Sequence, residues 1–232
     1  MIQNRQYKDI AYRLKKSPRK TTSIYIERDG SVSVLAPEPY DLAKVESLIE
    51  KKRSWIYRNL AEWEDLNRTK VQREFVNGEG FLYLGRSYRL QLVEEQEQEQ
   101  KLILRNGYFC LRQDLADSGF TVFKQFYRDK GKERLPARVT ELAAQMGLQP
   151  GAIRVMELSN RWASCSASGE LNFHWKVMML PLTILDYVIV HELAHLKYPN
   201  HTKAFWNLVD KVLPDYQERK AWLKFRGAGM DL

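Results

Sequence analysis

Residues 191 to 195 read His-Glu-Leu-Ala-His, a pattern that can hold a metal ion if the segment is helical. Side chains four positions apart on a helix lie on the same face, so His191 and His195 can reach one ion. Glu192 points about 100° away from His191, and its longer side chain can reach a water molecule at that ion without binding the ion. This is the H-E-x-x-H arrangement, in which glutamate acts as the general base of a zinc hydrolase.

A third ligand is available nearby, because His201 follows His195 after the turn-forming residues Pro199 and Asn200. Proline disfavours continuation of the helix and asparagine tolerates a left-handed backbone, so the chain can turn back toward the metal. Three imidazoles leave one position open on a tetrahedral zinc ion and keep its full positive charge, which lowers the pKa of bound water toward about 7. The spacing therefore predicts one Zn²⁺ ion at a hydrolytic site.

Two other interpretations of the histidines stay open. Cys165 could provide a fourth ligand and close the coordination shell, which would make the zinc purely structural. The histidines could also lie together by coincidence in an apolar helix. Structural zinc sites favour several cysteines, whereas this chain has only Cys110 and Cys165, far apart. Glu192 favours catalysis, since a structural site has no use for a base.

The elements that must position these residues are helices in the C-terminal part of the chain. Residues 182–198 predict a helix with almost no polar face, which should be buried. Two further helices are predicted at 202–213 and 215–226. Phe205 and Trp206, at the start of the first of these, are expected to pack in the core.

Upstream of these helices, residues 118–147 predict either one helix interrupted near Gly131 or two helices, the second entering through Pro136 and ending at Gly147. Strands are predicted in "AIRVMEL" and in "LNFHWKVMM", joined by a polar segment.

The N-terminal half reads as a β-rich module with one long helix. Residues 21–36 predict a hairpin around Asp29-Gly30, and a long amphipathic helix follows, with Asp41 as its N-cap. Short strands are predicted in 75–93 and 101–112. We therefore predict an α+β chain with a module at 1–115 and a compact catalytic domain at 116–232.

Charge and composition exclude some classes of protein. The net charge is +8, and residues 5–20 contain seven Lys or Arg against one Asp. Such a stretch can attract a nucleotide, a nucleic acid or an acidic partner, although a solvated charged face is the simpler interpretation. No segment resembles a signal peptide or a membrane span, and the sparse cysteines fit a reducing compartment, so we expect a cytoplasmic protein that is not bound to a membrane.

Four segments in order resemble the YgjP-like metallopeptidase family, a relative of the SprT-like and WLM zincins. These segments are "RWASCS", "YVIVHELAHL", "NHTKAFW" and "PDYQERKAWL". The resemblance is close in the C-terminal half and looser in the N-terminal half, through "PRKTTSIYI" and "YLGRSYRL". It implies a compact zincin-like domain, a small antiparallel sheet packed on helices, with zinc held by His191, His195 and His201 and with Glu192 as the base.

The resemblance also draws attention to the loop before the second strand. The family usually has glycine where this chain has Ala163, and alanine would be strained if that position needed a left-handed backbone. Arg161 in the same loop and Tyr198 after the metal helix are candidates to contact the substrate or its oxyanion. His174 is a third candidate if it faces the site from its strand, and a histidine packed in the core is the alternative.

The leading functional hypothesis is zinc-dependent hydrolysis of a peptide bond in a polypeptide substrate. A second hypothesis is metal-dependent hydrolysis of a nucleoside triphosphate to monophosphate and pyrophosphate, an activity that the resemblance to the family also suggests. Arg154, Arg161 and the basic N-terminal stretch could bind its phosphates, although no glycine-rich phosphate loop is present. A third hypothesis is a nucleic-acid-associated module of the SprT-like kind.

Overall fold

The computed structural model describes residues 2–27, 29–67, 73–158, 161–227 and 229–232, without the side chains of residues 62–67 and 97. The chain divides into two compact units, Met1–Lys70 and Val71–Leu232. The boundary predicted near residue 115 lies inside the second unit. It does so because the sheet before that position and the helix after it share one aromatic core, in which the rings of Phe109 and Phe123 lie 5.0 Å apart.

The first unit is a four-stranded sheet followed by two helices. Its elements are β1 Ile2–Tyr7, β2 Ile10–Lys16, β3 Ser23–Ile26, β4 Val32–Ala36, α1 Leu42–Lys51 and α2 Arg53–Asn67. The strand order is β1-β2-β4-β3, with β2 and β4 parallel and the other neighbours antiparallel. The buried residues Val34, Ile49 and Ile56 belong to the core of this unit.

Two predictions for the first unit need correction. The basic stretch at 5–20 lies largely in the hairpin formed by β1 and β2, which the sequence analysis missed because its turn at Lys8 and Asp9 has none of the usual glycine signals. The single long helix is two helices, although the predicted N-cap is confirmed, since Asp41 accepts a hydrogen bond from the Ala43 N–H. The helices separate at Lys52, whose N–H is shared between the carbonyls of Leu48 and Ile49, which tightens the turn.

The second unit begins with another four-stranded sheet. Its strands are β5 Gly80–Tyr83, β6 Arg86–Val93, β7 Leu102–Arg105 and β8 Tyr108–Arg112, in the order β5-β6-β8-β7 with β6 and β8 parallel. Helix α3, Gly119–Met146, covers this sheet, and the rings of Phe81 and Phe123 stack 4.2 Å apart. The sheet and the helix therefore form one hydrophobic core.

Helix α3 is continuous, so the predicted interruption near Gly131 and the predicted start at Pro136 are both wrong. Gly131 serves close packing instead, because a Cβ atom there would lie 3.1 Å from the side chain of Val155. Pro136 has no backbone N–H, so the helix lacks one hydrogen-bond donor at this position. The hydroxyl of Thr140, one turn further along, donates a hydrogen bond to the Pro136 carbonyl oxygen. The predicted end is correct, since Gly147 follows the helix in the left-handed conformation with φ of 64°.

The remaining elements surround the histidines. They are β9 Ile153–Met156, β10 Ala163–Cys165, β11 Leu171–His174, α4 Leu182–Ala194, α5 Lys203–Val212 and α6 Tyr216–Gly227. The three strands form a sheet in the order β10-β11-β9. Helix α4 is tied to α3 by a two-pronged ion pair between Arg138 and Asp186, with N···O distances of 2.7 and 2.6 Å.

The predicted α+β class is confirmed, with one difference in the small sheet. Strand β10 lies in the segment predicted as a polar connection and pairs antiparallel with β11, whereas the two predicted strands, β9 and β11, are parallel. Strand β10 runs opposite to β9. The turn at Ser166–Gly169 reverses the chain again, so β11, which lies between them, runs in the same direction as β9. Within the described residues, no helix has the length and apolar character needed to cross a membrane.

Candidate metal centre

Helix α4 presents the first two histidines. Its buried residues include Ile184, Val188 and Leu193, and this apolar packing fixes the rotation of the helix about its axis. The ring centroids of His191 and His195 are 5.0 Å apart. The helix ends at Ala194, earlier than predicted, and the His195 N–H donates to the carbonyl of Glu192 in a tight turn. His195 thus lies at the C-cap.

The third histidine returns to the first two through the short connection between α4 and α5. His201 Nε2 lies 2.9 Å from His191 Nε2, and one ligand nitrogen from each histidine lies within 4.8 Å of the others. Thr202 then caps α5, because its side chain accepts from the Phe205 N–H. The predicted return of the chain is observed, but Asn200 is not left-handed, so the turn forms without that conformation.

Each imidazole is oriented in a different way. His195 Nδ1 lies 3.1 Å from the carbonyl oxygen of Tyr198, and since a carbonyl only accepts, this nitrogen carries a proton and Nε2 is the nitrogen available to a metal ion. His191 Nδ1 is buried and forms no hydrogen bond with the described residues. Its ring packs instead against Phe205, at 5.0 Å between centroids. A polar anchor therefore holds His195, whereas an aromatic contact holds His191.

His201 is exposed, and it is positioned mainly by aromatic contacts. The Trp206 indole stacks on the His201 ring at 5.6 Å with 23° between the planes, and the Phe205 ring lies 4.7 Å from it. Phe205 is fully buried and Trp206 is half-buried. Both residues were expected to pack in the core, and their rings also contact the rings of the histidines.

The surroundings of His191 and His201 favour the neutral form that metal binding requires. Burial, with smaller contributions from the neighbouring charges of His195, His201 and Lys220, lowers the pKa of His191 to about 3. Burial also lowers the pKa of His201, with smaller contributions from His195 and Lys220. A neutral imidazole offers the lone pair that a metal ion needs.

Glu192 is the only acidic side chain in the buried core of the described residues, with 7% of its surface exposed. Burial raises its pKa from 4.5 to about 7, against the opposing effects of the Arg161 charge and a hydrogen bond from the Cys165 backbone. Glu192 is not in the group of converging metal ligands. A carboxyl group that changes protonation near neutral pH and does not bind the metal is suited to proton transfer.

Cys165 is also outside that group of described ligands, although it was the candidate fourth ligand of a structural site. Its Sγ is directed to the Ser166 carbonyl, at 3.5 Å, and burial followed by the charge of Glu192 raises its pKa. Ala163, two positions earlier, does not have positive φ and pairs with Phe173 as ordinary antiparallel strand. The alanine is therefore accommodated without backbone strain.

The three candidates for contact with the substrate or its oxyanion have different surroundings. Arg161 is exposed and close enough to Glu192 for its charge to affect that carboxyl group. Tyr198 contributes its backbone carbonyl to His195. His174 is buried away from the metal ligands, and its Nε2 donates to the Glu157 carboxylate at 3.2 Å while its Nδ1 accepts from the Lys176 N–H. His174 is thus a core histidine with its hydrogen bonds formed.

Residues of α6 near the site were missed by the sequence analysis. The Lys220 ammonium lies 4.3 Å from the centre of the Trp206 ring, and Tyr216, one turn earlier, stacks on the same indole at 5.3 Å. Their spacing of four in "YQERK" indicates only a shared helix face. No sequence signal relates that face to a histidine site about twenty residues away, so only the tertiary packing reveals it.

Three of the seven basic residues of the N-terminal stretch pair with acidic residues of their own unit. Lys8 pairs with Glu50 at 3.0 Å, Arg13 with Asp29 at 2.9 Å, and Lys16 with Glu38 at 3.5 Å. Acidic residues later in the chain therefore compensate part of the positive charge of residues 5–20, and the other basic residues keep a net positive charge on this stretch.

Comparison with known proteins places these features in a family context. The family model described as "YgjP-like, metallopeptidase domain" matches residues 20–226. The crystal structure of the metallopeptidase zymogen abylysin of Pyrococcus abyssi is 26% identical, with a TM-score of 0.36, and the similarity covers 39% of this chain and 94% of that one. For the zymogen jannalysin of Methanocaldococcus jannaschii the values are 22%, 0.35, 38% and 91%. No curated protein matches the sequence.

Proposed function

Because the chain belongs to the YgjP-like metallopeptidase domain family, we propose that it hydrolyses peptide bonds with one zinc ion held by His191, His195 and His201. The observation that carries this proposal is the convergence of three imidazole nitrogens within 4.8 Å of one another. Zinc in hydrolases commonly has three protein ligands and one open position. The arrangement offers that number of ligands, and a buried carboxyl group follows the first of them in the sequence.

The donor set fits zinc rather than a harder cation. Three neutral imidazoles suit zinc and related transition metals, whereas magnesium and calcium prefer carboxylate and carbonyl oxygens. The hydrogen bond from His195 Nδ1 to the Tyr198 carbonyl leaves Nε2 free for the metal and fixes the ring plane. Since Cys165 is not among the converging ligands, the described residues leave a coordination position open for substrate or water.

Glu192 is proposed as the general base and acid. When bound, zinc would supply a Lewis acid that polarises the carbonyl group of the substrate and makes water more acidic. Glu192 would accept the proton that water loses on attacking the carbonyl carbon, and it would then deliver that proton to the leaving amine. In the metal-free protein, burial raises the pKa of this carboxyl group to about 7. The Cys165 N–H, which hydrogen-bonds this carboxyl group, would hold it in place.

Arg161 is the candidate for stabilising negative charge on the carbonyl oxygen of the substrate. Arg161 is exposed, and its charge acts on Glu192, which supports this role. A guanidinium can donate several hydrogen bonds to one anionic group. Tyr198 is a weaker candidate, because its carbonyl already orients His195, and His174 is directed to Glu157 instead.

The proposal is tested with purified zinc-loaded protein and two classes of substrate, unfolded polypeptides and nucleoside triphosphates, each with and without a chelator. We expect chelator-sensitive cleavage of polypeptides. Glu192→Gln should keep its zinc and lose turnover by about 10²- to 10⁴-fold, the usual contribution of a general base. The matched control is Glu99→Gln, which removes an exposed carboxylate elsewhere in the unit and should cleave like the wild type.

Two results would contradict the proposal. Hydrolysis of nucleotides without cleavage of any polypeptide would assign the site to the pyrophosphatase alternative. Full activity of Glu192→Gln on a cleaved polypeptide would exclude Glu192 as the base and leave the role of the histidine site to be assigned otherwise.

A further inference from the structure

A lysine on α6 lies beside the histidine cluster, separated from it by one aromatic ring. The Lys220 Nζ atom is 4.3 Å from the centre of the Trp206 ring. That ring stacks on His201 at 5.6 Å and lies 5.8 Å from the ring of His191. A positive charge is therefore fixed close to two of the three proposed metal ligands.

The position of this charge is defined by aromatic packing. Tyr216 stacks on Trp206 with 17° between the ring planes, and it precedes Lys220 by one helical turn. An ammonium group over an indole ring is attracted by the negative face of the ring but keeps its three hydrogen-bond donors. Lys220 is thus held near the site while its polar end is available to another molecule.

Lys220 is exposed and has no acidic partner among the described residues. The adjacent residue is different, because Arg219 pairs with Asp215 at 2.8 Å and also donates to the Thr183 carbonyl. Arg219 therefore serves to connect α6 and α4. The charge of Lys220 has no such structural use in the described part of the chain.

Lys220 has a counterpart in a second exposed cation. Arg161 is also exposed, and its charge acts on Glu192, the only buried acid in the described core. A site bordered by exposed cations attracts anionic groups and repels cationic ones.

We infer that Lys220 is a specificity-determining residue that binds a carboxylate of the peptide substrate next to the scissile bond, so that acidic peptides are cleaved in preference to basic ones. This inference rests on the proposed peptidase function and names its substrate class. The carboxylate belongs to an Asp or Glu side chain or to a free C-terminus, and one ammonium group recognises either through the same charge-assisted hydrogen bond.

The test uses quenched fluorescent peptides that differ only in whether Glu, Gln or Lys occupies each position around the cleaved bond, with a free or an amidated C-terminus. An exposed ion pair contributes up to about 1 kcal/mol, so the wild type should favour Glu over Gln by about threefold to fivefold in kcat/KM. The preference should act mainly through KM and decrease as the salt concentration rises. The free and amidated peptides distinguish the two sources of the carboxylate.

The decisive variant is Lys220→Glu, which should reverse the preference and favour the Lys peptides. Lys101→Glu makes the same change in net charge at an exposed position beside β7 and should keep the wild-type preference. Zinc content and melting temperature of Lys220→Glu should match those of the wild type, which separates a loss of recognition from a loss of structure.

Different results would overturn the specificity inference and the proposed peptidase function. Chelator-sensitive cleavage with equal rates for the Glu, Gln and Lys peptides would overturn the inference and leave the peptidase proposal intact. The same holds if Lys220→Glu keeps the wild-type preference. Absence of chelator-sensitive cleavage of every peptide would overturn both.

Discussion

The Nε2 atoms of His191 and His201 lie 2.9 Å apart, although one residue lies within a helix and the other lies in the exposed turn before the next helix. Two neutral ring nitrogens at this distance either share a proton or direct their lone pairs to a common acceptor. The proximity of His195 favours the second arrangement, because its Nε2 lone pair is also free. The turn between α4 and α5 therefore brings a third imidazole to the two at the end of α4.

Removal of His201 should abolish tight zinc binding. His201→Ala leaves two imidazoles, and the purified variant should lose the near-stoichiometric zinc expected of the wild type, as measured by elemental analysis after dialysis. The matched control is His174→Gln, because His174 is directed to Glu157 and lies outside the ligand group. Equal zinc content in wild type and His201→Ala would show that the third ligand is another residue.

Trp206 should contribute to zinc affinity without touching the ion. The exposed ring of His201 has no hydrogen bond from a described residue to Nδ1, so its orientation depends on stacking against the indole. We expect Trp206→Ala to weaken zinc binding by about 10-fold or more, as loss of an outer partner of a ligand commonly does, and Trp206→Phe to recover most of that loss. Competition with a chelator of known affinity measures the change. Unaltered affinity in Trp206→Ala would assign the orientation of His201 to the backbone turn alone.

The metal-free protein should show a pH dependence of stability that comes from Glu192. Burial raises the pKa of this carboxyl group from 4.5 to about 7, so the folded state binds the proton more tightly than the unfolded state. The resulting stabilisation is complete below the unfolded pKa and is lost as the pH rises through 7. It amounts to about 3 kcal/mol.

This contribution is isolated by comparing the wild type with Glu192→Gln in chelator, by denaturant unfolding between about pH 5 and pH 8. His191 and His201 have lowered pKa values and act in the opposite direction, but both proteins contain them and their effects cancel in the difference. The unfolding free energy of the wild type should fall relative to the variant as the pH rises. A difference that does not change with pH would show that Glu192 is not buried in this way.

Gly119 should tolerate no side chain. A Cβ atom at this position would lie 2.4 Å from the ring of Phe75, which stacks on Phe81 in the core. Gly119→Ala should therefore destabilise the second unit by about 1–3 kcal/mol, the usual cost of overpacking. Gly229→Ala is the matched control, since no atom lies within 4 Å of its added Cβ. Thermal unfolding distinguishes them, and equal melting temperatures would mean that Phe75 moves aside at little cost.

The family and the core of the site could be predicted from the sequence, because both depend on local spacing. The positions of His191, Glu192 and His195 define their relation on one helix, and four short motifs identified a family that the match over residues 20–226 confirms. The hairpin at β3 and β4 was likewise predictable, from its Asp-Gly turn.

The features that could not be predicted depend on contacts between distant segments. Lys220 reaches the site only because α6 packs on α4, and the parallel pairing of β2 with β4 depends on a hairpin without a turn signature. The sequence alone also could not decide whether Ala163 is strained, because the residue type does not determine its φ angle. Sequence periodicity predicts individual helices and strands, whereas the packing partners of each element depend on the tertiary fold.

The brief connection between α4 and α5 has a consequence for folding as well as for chemistry. An ion shared by His191 and His201 would close a loop of only ten residues, and because it would bind the folded chain in preference to the unfolded one, it would stabilise the folded loop. Phe205, fully buried four residues after His201, anchors the far side of the same loop in the hydrophobic core. We therefore expect metal binding to stabilise the docking of α5, so that removal of the ion loosens α5 before it disturbs the sheets.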